Sequence, residues 1–260
     1  MGRHRLALAL LLAVAGCASE RDQTQAKPVE SSPAPSASAA AAPTVPVAVA
    51  PPPAKSGPSC REQAAQDFLL RKDQIAKPGA SPEERARILA ARKKSIDYRT
   101  REYGQFPGFG SGHDNPHPPR YYAKKTTFMG HPLVVHEKIV PALACVEAAL
   151  KRECTARPYQ PRQVSGMRFS NTYQDYEISN HVYGIAIDID SHLNPCCGCV
   201  GKWGKAPACA KKVDSPFERM AMPRCWVEVF ERYGFHWLGH DELEDTMHFE
   251  FLGDPERIME

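Results

Sequence analysis

Ser179-Asn180-His181-Val182-Tyr183-Gly184-Ile185-Ala186-Ile187-Asp188, continued by Ile189 and Asp190, is the stretch on which the fold and the chemistry of this 260-residue chain turn. From Gly184 onwards the residues alternate with period two, as in a strand. Ile185, Ile187 and Ile189 project to one face, which must be core, while Gly184, Ala186, Asp188 and Asp190 project to the other. That second face sets a carboxylate beside residues with almost no side chain, which leaves space for an ion and a ligand. His181 enters just before the strand, so an imidazole and a carboxylate converge, and such donors suit zinc.

A second segment, Asp245-Thr246-Met247-His248-Phe249-Glu250-Phe251, supplies the complement. Met247, Phe249 and Phe251 make an apolar face, with His248 and Glu250 opposite. His181, Asp188 and His248 as three protein ligands leave a fourth metal position open, the arrangement of a catalytic site. Asp245 is unnecessary as a ligand and well placed as a base. Glu250 reads either as support for a ligand or as a solvated carboxylate.

The two segments resemble the S-x-H-x-x-G-x-A-x-D and [ED]-x-x-H-F motifs of the zinc D-alanyl-D-alanine metallopeptidases, and Ser165-Gly166-Met167-Arg168 is similar to that family's S-G-x-R strand. The three occur in family order over residues 163 to 252. The family includes D,D-carboxypeptidases, D,D-dipeptidases and L-alanyl-D-glutamate endolysins, and shares its fold with the Hedgehog signalling domain. The resemblance implies an α+β domain with a small, mainly antiparallel sheet, flanking helices and a cleft for one zinc ion held by His181, Asp188 and His248. It further implies Asp245 as general base, Arg168 as the group that stabilises the oxyanion or binds a substrate carboxylate, and a peptidoglycan stem peptide as substrate. Two features depart from the pattern. Asp stands at 245 where the carboxypeptidase and dipeptidase branch mostly has Glu, and a cysteine-rich insertion, Asn194 to Asp214, follows the metal strand and is expected to wall the cleft. The alternative from another class is a non-catalytic, zinc-containing wall-binding lipoprotein, since fold does not guarantee turnover.

Outward from these motifs, a helix is expected from Cys60 to about Lys77. Another opens at Ser81-Pro82-Glu83-Glu84, where Ser81 caps and Pro82 takes the first helical position. Gly104 to Tyr122 reads as loop. Apolar spacing predicts a helix over 132 to 152, kinked at Pro141. A strand near Gln163 to Phe169, a helix from Pro216 to Tyr233 and a closing strand from Thr246 to Leu252 complete the domain. Trp226 and Phe235-His236-Trp237 read as core; His113, His117, His192, His236 and His240 read as loop or surface.

Of nine cysteines, Cys17 has a separate role given below. The other eight, Cys60, Cys145, Cys154, Cys196, Cys197, Cys199, Cys209 and Cys225, read as disulfides of an exported domain. A metal or iron–sulfur site at Cys196, Cys197, Cys199 and Cys209 is the competing possibility. If one helix carries both Cys145 and Cys154, about 13 Å of rise separates them, too far for a bridge to each other.

The chain opens with MGRHR, an apolar run from Leu6 to Gly16 and then Cys17. That is the plan of a secretory signal over residues 1–16, too short for the roughly 20 residues that span a bilayer. Val14-Ala15-Gly16-Cys17 resembles the bacterial lipobox, which implies cleavage before Cys17 and lipidation of its thiol; Ala18 in the next position resembles sorting to the outer membrane of a Gram-negative cell, facing the periplasm. Residues 17–58 are dominated by Ala, Pro and Ser, a tether whose extended chain at about 3.1 Å per residue reaches roughly 100 Å towards the wall. Residues 59–260 are then one peptidase-sized domain with the N-terminal helices and the 194–214 insertion. With 33 Lys and Arg against 30 Asp and Glu, the charge is nearly balanced and points to no nucleic-acid partner. Full-length protein is expected to fractionate with membranes in an acylated form and Cys17→Ser to be soluble; a wild type that is soluble and unacylated after export would remove the anchor.

Overall fold

A computed structural model describes residues 59–173, 177–199, 201 and 203–260; the signal, Cys17 and the tether lie outside them. The class is α+β, as expected. In chain order the elements are α1 (Pro82–Tyr103), β1 (Ala123–Phe128), β2 (His131–His136), α2 (Val140–Glu153), β3 (Val164–Ser165), α3 (Asn180–Tyr183), β4 (Ala186–Ile189), α4 (Arg224–Arg232), β5 (Phe235–Trp237) and β6 (His248–Phe251). The strands β3-β4-β6-β5 form an antiparallel sheet, and β1 and β2 form a separate hairpin. Among the described residues no helix is long and apolar enough to cross a membrane.

One face of the four-stranded sheet is the core. Ile185, Ile187 and Ile189 are fully buried, as their alternation requires, and Phe235, Trp237, Phe249 and Phe251 join them. Leu143, Val146 and Leu150 of α2 and Trp226, Val227 and Phe230 of α4 belong to the same apolar cluster. Phe230 stacks on Phe249 with ring centroids 4.1 Å apart. Trp226 and Trp237 are thus core residues, as read from sequence.

The eight cysteines form four disulfides: Cys60–Cys145, Cys154–Cys225, Cys196–Cys199 and Cys197–Cys209. Cys145 and Cys154 do lie on and just beyond one helix and pair elsewhere. The first bridge ties the domain's N-terminal segment to α2, and the second ties the end of α2 to the start of α4.

Five expectations need correction. No helix runs from Cys60 to Lys77, because long-range partners take its backbone groups: Arg61 N–H donates to Ile258 O at 2.8 Å, Gln63 N–H to Arg232 O at 2.8 Å and Gln66 N–H to Leu252 O at 2.9 Å. Only two short 3-10 turns, Asp67–Leu69 and Arg71–Asp73, follow. The helix predicted over 132–152 begins at Val140, with Pro141 in its first turn and no kink. Its first part is β2, whose Leu133 and Val135 point inward. Met129 and Gly130, with φ of 50° and 84°, make the tight turn that a right-twisted hairpin favours. The helix predicted from Pro216 breaks at Pro223, leaving a 3-10 turn, Pro216–Arg219, and then α4. The strand near Gln163–Phe169 keeps only Val164 and Ser165 in the sheet, and the strand predicted from Thr246 starts at His248.

The α1 start matches expectation: the Ser81 hydroxyl accepts from Glu84 N–H at 3.2 Å and Pro82 opens the helix. Gly184 closes α3 in the left-handed region with φ of 71°. A Cβ there would sit 2.4 Å from Met167 Cε and 2.7 Å from His136 N. Gly184→Ala therefore combines backbone strain with overpacking, and is expected to cost about 3 kcal/mol of stability; an unchanged urea midpoint would show that the turn relaxes freely.

Candidate active site

The sheet face opposite the core carries the polar groups, and strand register brings them together. Asp188 on β4 and His248 on β6 are direct cross-strand partners, and Ala186 is opposite Glu250. Ala186, having only a methyl group, adds little bulk opposite that carboxylate. His181 lies on the single helical turn α3, not on the strand entrance itself. Ser179 caps that turn, its hydroxyl accepting from His181 N–H at 3.4 Å. The turn ends at Gly184, so the chain reverses into β4 and His181 arrives over Asp188.

Three atoms converge. His181 Nε2 is 3.1 Å from Asp188 Oδ1 and 3.1 Å from His248 Nδ1, and His248 Nδ1 is 2.8 Å from Asp188 Oδ1. Outer partners decide which imidazole nitrogens face inward. His181 Nδ1–H donates to Gly166 O at 2.7 Å, so Nε2 presents its lone pair. His248 Nε2–H donates to Glu250 Oε1 at 3.1 Å, so Nδ1 does the same when the ring is neutral. A carboxylate oxygen and two imidazole lone pairs this close repel one another unless a cation lies between them. Metal–ligand bonds of about 2.0–2.1 Å put tetrahedral ligands some 3.3 Å apart, so the triad fits a zinc-sized ion.

The electrostatics of the protein alone show the same demand for positive charge. Burial opposes a charge on His248, yet the hydrogen bonds and charges of Asp188 and Glu250 prevail and raise its pKa to about 10. Burial also pushes Asp188 up, and the two imidazoles more than reverse it, holding this carboxyl well below its ordinary range. Glu250 behaves likewise: burial is outweighed by His248 first and Arg99 next, leaving it at about 2. His181 is lowered, chiefly by burial.

Arg168 donates from Nη2 to Asp188 Oδ2 at 3.1 Å and from Nη1 to Thr172 Oγ1 at 3.3 Å. It therefore leaves Oδ1 to the triad, while its side chain stays 39 % exposed. Asp245 is 8 % exposed, and its Oδ1 has no hydrogen-bond partner among the described residues. Burial, helped by the charge of Asp188, raises its pKa to about 6, which leaves it ionised at neutral pH and more basic than an ordinary aspartate.

Asp245 is held from behind by the insertion. Cys196 bridges Asp245 in an antiparallel pair, Cys197 N–H donates to Glu244 O at 3.2 Å, Gly198 N–H to Leu243 O at 2.7 Å, and Thr246 N–H to Pro195 O at 3.1 Å. Cys196 and Cys199 sulfurs lie within 4.8 Å of an Asp245 carboxylate oxygen and of each other. Both sulfurs are spent in a disulfide, as are those of Cys197 and Cys209, so the competing cysteine metal site has no free thiolate. The insertion thus pairs with the turn that carries Asp245.

Two further residues belong to the site. Glu250, ambiguous in sequence, is buried and bonded to His248. Tyr173 lines a small cavity with Glu250, and its hydroxyl is pushed up mainly by burial and then by the charge of Glu250. No motif position marks it, and its spacing from Arg168 carries no signal. Asp190, which shares the alternation of Asp188, is elsewhere: it accepts from Arg162 N–H and Gln163 N–H at 2.8 and 2.7 Å and from the Tyr159 hydroxyl at 2.5 Å.

Comparison with curated proteins and with solved structures returns no match. Residues 173–251 match the family model described as D-alanyl-D-alanine carboxypeptidase. That span contains His181, Asp188, Asp245 and His248. The segment that bears the site is therefore similar to D-alanyl-D-alanine carboxypeptidases, a likeness that supports a peptidase.

Proposed function

We propose that the domain is a zinc-dependent peptidase that hydrolyses an amide bond in peptidoglycan stem peptides, and that a lipid on Cys17 holds it on the outer membrane facing the periplasm. The observation that supports this most is the convergence of His181 Nε2, Asp188 Oδ1 and His248 Nδ1 within 3.1 Å, each lone pair turned inward by an outer partner. Bound by these three residues, zinc would lower the pKa of a water towards 7 and polarise the scissile carbonyl. Asp245 has an unpartnered carboxylate oxygen and a raised pKa, so it can take a proton from the attacking water and return it to the leaving amine. Arg168, half exposed beside Asp188, can meet the negative charge that grows on the substrate oxygen or a free stem-peptide carboxylate. The aspartate base leaves both D-Ala-D-Ala and L-Ala-D-Glu bonds as candidates, and a muropeptide panel containing both separates them by product mass.

Purified protein is expected to carry about one zinc ion per chain, and His248→Ala to lose both metal and hydrolysis. Metal retained in His248→Ala would place the ion elsewhere. Asp245→Asn preserves shape but not proton acceptance, so zinc content and muropeptide binding should persist while the rate falls ~10²- to 10⁴-fold. If wild type and Asp245→Asn bind muropeptides equally and neither releases product, the protein is a wall-binding module and not a peptidase.

A further inference from the structure

Glu250 poses a problem of charge. It is 4 % exposed, and a neutral His248 gives it a hydrogen bond but no compensating charge; a buried carboxylate without one is costly. Behind it lies α1, outside the family-matched span, and Arg99 of that helix is also 4 % exposed. Arg99 is fixed by its neighbours: Nη1 donates to the Ser95 hydroxyl and Nη2 to Leu69 O at 3.2 Å. Its Nε has no hydrogen-bond partner among the described residues. Arg99 and Glu250 line the same small cavity, about 40 Å³, together with Tyr173 and Asn180. Asn180, the first residue of α3 and neighbour of His181, likewise leaves its buried Oδ1 unpartnered. The other arginines of this cavity are committed to different acceptors. Arg71 pairs with both oxygens of Glu177 at 3.2 and 3.3 Å, and Arg92 holds Gln74 O at 2.8 and 3.1 Å.

We propose that Arg99 is a positioning residue of the metal centre: its buried charge, delivered by α1, holds the Glu250 carboxylate as acceptor for His248 Nε2–H and so keeps the Nδ1 lone pair of His248 turned towards the metal. The influence runs from Arg99 on α1 across the shared cavity to Glu250, and from Glu250 by a hydrogen bond to His248. The N-terminal part of the domain thereby becomes a component of the site and not merely a cover for it. This rests on zinc at His181, Asp188 and His248.

The test is zinc binding by the full chain, with zinc ion alone in competition with a chromogenic chelator, alongside thermal melting. The partner directly behind a metal ligand is typically worth about 10- to 100-fold in affinity, so Arg99→Met, which acts through that partner, should weaken zinc by up to about that order while Arg99→Lys recovers part of it. In a Glu250→Gln background the Arg99→Met change should no longer matter. A purely structural role for Arg99 would lower the melting temperature without this dependence on Glu250. Should Arg99→Met fail to fold, the double variant with Glu250→Gln is expected to fold, since neither buried charge remains; a double variant that also fails overturns the proposal. Wild type and Arg99→Met binding zinc equally would sink the role of Arg99 alone, whereas a wild type that binds no zinc would sink the metal centre and this inference together.

Discussion

Three electron-pair donors held within 3.1 Å of one another, with no donor hydrogen between the neutral forms, are the constraint around which the rest of the domain is arranged. The arrangement is unfavourable on its own, and each surrounding element acts to keep it. Register across β4 and β6 sets Asp188 against His248. The one-turn helix α3 carries His181 over the strand, and Gly184 permits the reversal. A carbonyl at Gly166 and a carboxylate at Glu250 fix the tautomers. The apolar side of the same strands, with Ile185, Ile187, Phe249 and Phe251 fully buried, supplies the stability that such a polar face withholds.

Burial also explains why two aspartates only a few residues from the histidines behave in opposite ways. Asp188 meets two imidazoles and a guanidinium, so its charged form prevails despite desolvation. Asp245 has an unpartnered oxygen and the repulsion of Asp188, so desolvation dominates and its pKa rises to about 6. An ionised carboxylate in a dry site suits a cation; one with a raised pKa suits acceptance of a proton. The Cys196–Cys199 disulfide and the backbone pairing of residues 195–198 with 243–246 immobilise the second of these groups, which is the part of the site on a turn and not within a strand.

Much of the site was legible in sequence because its signals are local. Period-two alternation from Gly184 to Asp190 separated core from polar face, and the two short motifs carry the three side chains, His181, Asp188 and His248, that the structure brings together. Ser81 and Pro82 announced α1 for the same reason: a cap acts on its own helix. What only the tertiary structure decided was non-local. Residues 60–66 became extended because Arg232, Leu252 and Ile258 take their backbone hydrogen bonds, and residues 131–136 became a strand because β1 pairs with them, although their apolar spacing also suits a helix. Disulfide partners 85 and 71 residues apart and the placing of Arg99 in the same cavity as Glu250 likewise have no counterpart in local pattern. Spacing along the chain can specify which side chains share a face; which distant charge or carbonyl meets that face depends on how the layers pack.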